Sequence, residues 1–163
     1  MTNEQLDRVL PVSNATNVYE LLDDVKRVVR EEPKRLRMHA YLYDRYVVES
    51  LSEYQLVPHH AGKPECGTVG CIAGWMNVLT NRKYYVERGE APPTGRVVWD
   101  MMDVFYRASD DYTRDVENLF HNFDYEETSG TPEYAEAICA RIDKFQEKWA
   151  HILRSLPVKP LEM

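Results

Sequence analysis

Along most of this chain, apolar residues recur at the three- and four-residue spacing of one helix face, and that spacing predicts its elements. From Val18 the stripe Leu21, Leu22, Val25, Val28 and Val29 marks an amphipathic helix. Asn17 with Glu20 three residues on predicts its cap, and Pro33 predicts its end at Glu32. A short buried helix is predicted from about Thr68 through Val69, Ile72, Ala73, Met76 and Leu79, fading at Thr80 and Asn81. Val97, Val98, Met101, Met102, Val104 and Phe105 define another. Ser109, Asp110 and Asp111 break it and can cap the next, which carries Val116, Leu119 and Phe120. Thr131-Pro132-Glu133 combines a hydroxyl cap, a proline at the first helical position and an acid in the first turn. It opens a helix with the stripe Ala135, Ile138, Ile142, Phe145, Trp149 and Ile152, closed by Pro157.

Elsewhere the pattern is less decisive. Leu36, Met38, Ala40 and Leu42 alternate with polar neighbours, as in an extended segment. Tyr43, Tyr46, Val47 and Leu51 fit a helix equally well, so residues 36–57 stay open. Residues 57–65, with Pro58, Gly62 and Pro64, read as a loop. Residues 81–93 read as a polar connection in which Tyr84, Tyr85 and Val86 could pair briefly as a strand. The expected fold is all-α: a compact single-domain bundle of about five helices over residues 1–163. Polar tails are expected at 1–15 and 157–163, with at most a minor β element.

Composition narrows the class. A chain of 163 residues with 44% hydrophobic content can bury most of its apolar surface in one core. The net charge of -7 argues against a grip on nucleic-acid backbone, which needs a basic face. The densest basic run is Lys26, Arg27, Arg30, Lys34, Arg35 and Arg37. Glu31 and Glu32 interrupt it, and it reads as a solvated helix face. No apolar run reaches the ~18 residues of a membrane span, and the polar start at Met1 to Leu10 does not resemble a signal peptide. Three cysteines without a secretory context read as reduced thiols, so a cytoplasmic location is expected.

The chemistry concentrates in Cys66-Gly67-Thr68-Val69-Gly70-Cys71-Ile72-Ala73-Gly74-Trp75. Each glycine inside a helical pattern costs roughly 1 kcal/mol relative to alanine, so three of them imply close approach to the main chain. Gly67, Thr68, Val69 and Gly70 offer the unpaired N–H groups of a new helix to a small anion. Trp75 and Tyr41 would add aromatic contacts, as would Tyr43, Tyr46, Tyr84 and Tyr85. The plainer alternative is that Thr68 caps the helix while Gly70 and Gly74 admit a neighbouring helix. A second option is catalysis by Cys66, with its thiol pKa lowered by the helix start and His59 or His60 as base. The third is a structural zinc site built from His59, His60, Cys66 and Cys71, although four residues between the cysteines is a poor zinc spacing. Asp23-Asp24, Asp110-Asp111 and Glu126-Glu127 read as solvated carboxylates, with no pocket evident to raise one pKa.

Pro33, Arg35 and Met38 followed by the Cys-Gly-Thr-x-x-Cys-x-Ala-Gly-Trp pattern of residues 66–75 resemble a set of small phage and bacterial proteins of unassigned function. In those proteins a leucine–phenylalanine pair and a threonine–proline–glutamate helix start also recur, matched here by Leu119-Phe120 and Thr131-Pro132-Glu133. The chain departs from them in carrying Gly70 where alanine is usual, and a longer tyrosine-rich insert before Cys66. The resemblance implies a phage-borne accessory protein in the bacterial cytoplasm, suited to host interaction or anti-defence, and no particular reaction. The leading expectation is a non-enzymatic binding module that takes a host protein or a small anionic, nucleotide-like ligand, without a cofactor. A thiol-dependent enzyme and a zinc protein are the alternatives, and a homo-oligomer is compatible with any of them.

Overall fold

A computed structural model describes residues 11–33, 36, 72–88, 109–120 and 131–160. Every regular element among them is a helix: α1 (Val18–Glu31), α2 (Ile72–Thr80), α3 (Arg82–Arg88), α4 (Asp110–Phe120) and α5 (Pro132–Ser155). The chain is all-α in these residues, apart from isolated bridges such as that between Asn17 and Pro157.

Local chemistry sets the helix ends. Asn17 Oδ1 accepts the Glu20 N–H at 3.0 Å, the expected cap. The Glu20 carboxylate reaches back one residue further than a standard capping box, accepting from the Thr16 N–H at 3.0 Å and the Thr16 hydroxyl at 2.7 Å. Those bonds, the hydroxyl first, hold its pKa below the ordinary carboxylate value. At the far end the Glu32 N–H closes on the Val28 carbonyl, and Pro33 follows. Ser109 Oγ accepts from the Tyr112 N–H to start α4, and Thr131 Oγ1 accepts from the Tyr134 N–H to start α5.

The long-range order is an antiparallel pair, α1 on α5. Val18 N–H donates to the Leu156 carbonyl at 2.9 Å, and Val158 N–H donates to the Thr16 carbonyl at 3.1 Å. Further along, the buried Gln146 amide donates to the Tyr19 carbonyl at 2.9 Å and to Asp23 at 3.0 Å. Next come Lys26 with Asp143 at 2.6 Å and Arg30 with Glu136 at 2.9 Å. Between these rungs lie Leu21, Leu22, Val25, Val28 and Val29 of α1 and Ala135, Ile138, Cys139, Ile142 and Phe145 of α5, all buried. Helix α2 packs against α1 and α4, and α4 packs against α5. Trp75, Ile72 and Met76 are fully buried in the same core cluster.

Two expectations are corrected. Residues 82–88 form helix α3, not a connection with a strand at Tyr84, Tyr85 and Val86. The Asn81 N–H still bonds the Asn77 carbonyl, so the backbone passes from α2 to α3 without a breaker. Arg82, Lys83, Glu87 and Arg88 are good helix formers, and Lys83 meets Glu87 at 3.8 Å one turn apart. Strand propensity in three residues is a weaker force than that context. The stripe of α5 also shifts phase. Trp149 leaves helical geometry (φ -117°, ψ 19°), and beyond it Leu153 and Leu156 are buried while Ile152 is only partly so. The predicted helix at 97–105, the open segment 37–57 and the loop at 57–65 lie outside the described residues. Of the alternating run, Leu36 is described, and it is fully buried.

Trp75 is the largest fully buried side chain. Trp75→Ala is expected to cost about 3–5 kcal/mol of unfolding free energy, measurable by urea denaturation; a loss below ~1 kcal/mol would place the indole outside the core.

Candidate functional site

The segment singled out by sequence divides into two parts. Its second part opens α2, where Gly74 and Trp75 are buried and Ala73 is half-buried. Gly74 is buried on a helix that packs against α1 and α4, a position where the absence of a side chain permits close packing. Trp75 is therefore a core residue, and any ligand contact by its indole would need the core to open. Its first part, Cys66, Gly67, Thr68, Val69, Gly70 and Cys71, lies outside the described residues, as do His59, His60 and Tyr41. Tyr84, expected at the surface, is half-buried.

The described thiol is Cys139. It is fully buried on α5, and its Sγ lies 3.9 Å from the Lys26 carbonyl of α1. Burial pushes its pKa up to about 11, so at neutral pH it is a small apolar group in the core, not a nucleophile. Among the described residues no group of three or more His, Cys, Asp or Glu is placed to hold a metal ion. No helix among them is long and apolar enough to cross a membrane.

Polar chemistry missed by sequence reasoning gathers between α4 and α5. Asp115 accepts from the Trp149 indole N–H at 2.9 Å and pairs with Lys148 at 2.8 Å. Burial alone would raise the Asp115 pKa, but the ammonium and the indole N–H outweigh it and hold the carboxyl below its usual value. Lys148 also lies 5.2 Å from the Trp149 ring centroid, a cation–π distance. Tyr112 meets the Trp149 ring edge-on at 5.2 Å. Beside them Asp115, Asn118 and Leu119 of α4 and Arg141, Lys144, Phe145 and Lys148 of α5 line a groove of about 250 Å³. The sequence signal for it was present, since Arg141, Lys144 and Lys148 are spaced three and four apart on one helix face.

Fold and site together define a small all-α module with a sealed core and one cation-rich groove among its described residues. No family model matches the chain, and no curated protein or solved structure does either.

Buried acids give the protein an alkaline limit. Cys139 and Tyr112 ordinarily titrate near 9.0 and 10.0, but burial raises them to about 11 and about 12 in the folded state. Their contribution to stability is fully present below pH 9.0 and is lost as pH rises through the folded values, because only the unfolded chain releases those protons early. Urea titrations across that range are expected to show falling stability, with a shallower slope in Cys139→Ala and Tyr112→Phe. An unchanged slope in both variants would mean that neither group is sealed.

Proposed function

We propose that this chain is a small phage-type accessory module of the bacterial cytoplasm that works by non-covalent recognition of a host protein or a small anionic ligand. The observation that supports this reading is the burial of Gly74 and Trp75 in α2. A helix packed against α1 and α4 has its own position fixed before any ligand arrives. Preorganisation of that kind reduces the ordering cost of binding. In this reading Gly67, Thr68, Val69 and Gly70 present main-chain N–H groups to the ligand, and Tyr41 adds an aromatic contact. The buried thiol of Cys139 has a structural part in it.

Isothermal calorimetry of the full chain against nucleotides and nucleotide-derived signals tests the small-ligand form. Saturable heat is expected, weakened about tenfold by Thr68→Ala through loss of a hydrogen bond to a charged group. Absence of heat at millimolar ligand would remove that form. Iodoacetamide labelling at neutral pH separates the module from a thiol enzyme. Modification of Cys66 no faster than that of an ordinary exposed thiol fits recognition, whereas Cys66 reacting far faster than that, and than Cys71 and Cys139, would favour nucleophilic chemistry.

A further inference from the structure

Glu136 and Asp143 of α5 face α1, and each has a cation there, Arg30 and Lys26. On the side toward α4 the balance is different. Arg141, Lys144 and Lys148 line the groove together, while α4 brings one carboxylate, Asp115, already engaged by Lys148 and Trp149. Among the described residues that line the groove, three cations thus face one anion, in a chain whose net charge is -7. A local excess of positive charge on an acidic protein concentrates anions at that spot.

The cations are not equivalent. Arg141 Nη1 donates to the Asn118 and Leu119 carbonyls at 3.1 and 3.4 Å, at the C-terminal end of α4. That contact complements the negative end of the helix and fixes the guanidinium in place. Desolvation lowers the Arg141 pKa, which means its charge sits partly out of water, where an incoming anion is felt more strongly. Lys144, one turn on, is exposed and has no ion pair among the described residues. Capping of α4 accounts for Arg141 and the Asp115 pair accounts for Lys148, but neither uses Lys144. The floor is apolar, formed by Leu119 and Phe145, which are 1% and 5% exposed. A volume of about 250 Å³ holds a ring with one charged substituent, too little space for a folded partner.

We propose that the α4–α5 groove binds a small organic anion bearing a ring-sized apolar group. The anionic group sits between Lys144 and Arg141, and the apolar group lies over Phe145 and Leu119. The site is built from residues of α4 and α5 and uses none of residues 66–71, so it is tested separately from recognition there.

Phenyl phosphate titrated into the ¹⁵N-labelled full chain tests it. Saturable shifts are expected at the amides of Asn118, Leu119, Arg141, Lys144 and Phe145, with inorganic phosphate binding about tenfold more weakly because it leaves the apolar floor uncovered. Lys144→Glu is expected to weaken binding about tenfold or more without moving Tm, since the side chain is exposed and unpaired. Lys159→Glu makes the same charge change at a residue that does not line the groove and is expected to leave affinity unchanged. Three outcomes would overturn the proposal: no saturable shift, shifts confined to other helices, or affinity unaltered in Lys144→Glu. Equal weakening by Lys159→Glu would also overturn it, by reducing the effect to overall charge.

Discussion

The antiparallel seam between α1 and α5 is the constraint on which the remaining structure rests. It joins residues 16–30 to residues 136–158, more than a hundred positions away in sequence at every rung. Closing so long a loop carries an entropic cost, offset here by two continuous apolar faces. The polar rungs contribute differently. The exposed pair of Arg30 with Glu136 adds little energy in water, while Lys26, its side chain 14% exposed, meets the exposed Asp143 at the rim. Gln146 matters more for register, because its amide is buried and is satisfied at the Tyr19 carbonyl and Asp23 together. A slip along the seam would leave that amide unpaired inside the protein, a loss of about 1–3 kcal/mol.

Helix α2 is placed by this seam. It is nine residues long, too short to hold together alone in water, and it gains order from packing on α1 and α4. Gly74 and Trp75 fit that demand in different ways: a buried position with no side chain, and a large indole that is fully buried in the core. The thiol of Cys139 belongs to the same packing, pressed toward the Lys26 carbonyl across the seam. The groove is a consequence of how α4 meets the other side of α5. Glu136 and Asp143 of α5 are matched by cations on α1, whereas among the described residues lining the groove Arg141, Lys144 and Lys148 meet one carboxylate.

Legibility in the sequence followed the range of the interaction. Asn17 with Glu20, Ser109 and Thr131-Pro132-Glu133 act within four residues, and each starts the helix it was expected to start. The buried face of α1 follows directly from its spacing. Helix α3 was misjudged because Tyr84, Tyr85 and Val86 favour strands in isolation, whereas continuity from Asn77 through Asn81 carries the backbone onward as helix. The slip at Trp149 could not be read from periodicity, since it accompanies an indole bond to Asp115 on another helix. The groove was hidden for a similar reason. Arg141, Lys144 and Lys148 are a visible basic stripe, but only the meeting of α4 and α5 shows that Asp115 is the one carboxylate among the described residues lining the groove with them.

Native-state hydrogen exchange tests the seam most directly. If α1 and α5 hold the molecule together, the amides of Leu22, Val25 and Val29 will open with the same free energy as those of Ile138, Ile142 and Phe145, at or near the value for global unfolding. Exchange of the α1 amides at a distinctly lower free energy, with α5 still protected, would show that the two helices are separable and contradict the account.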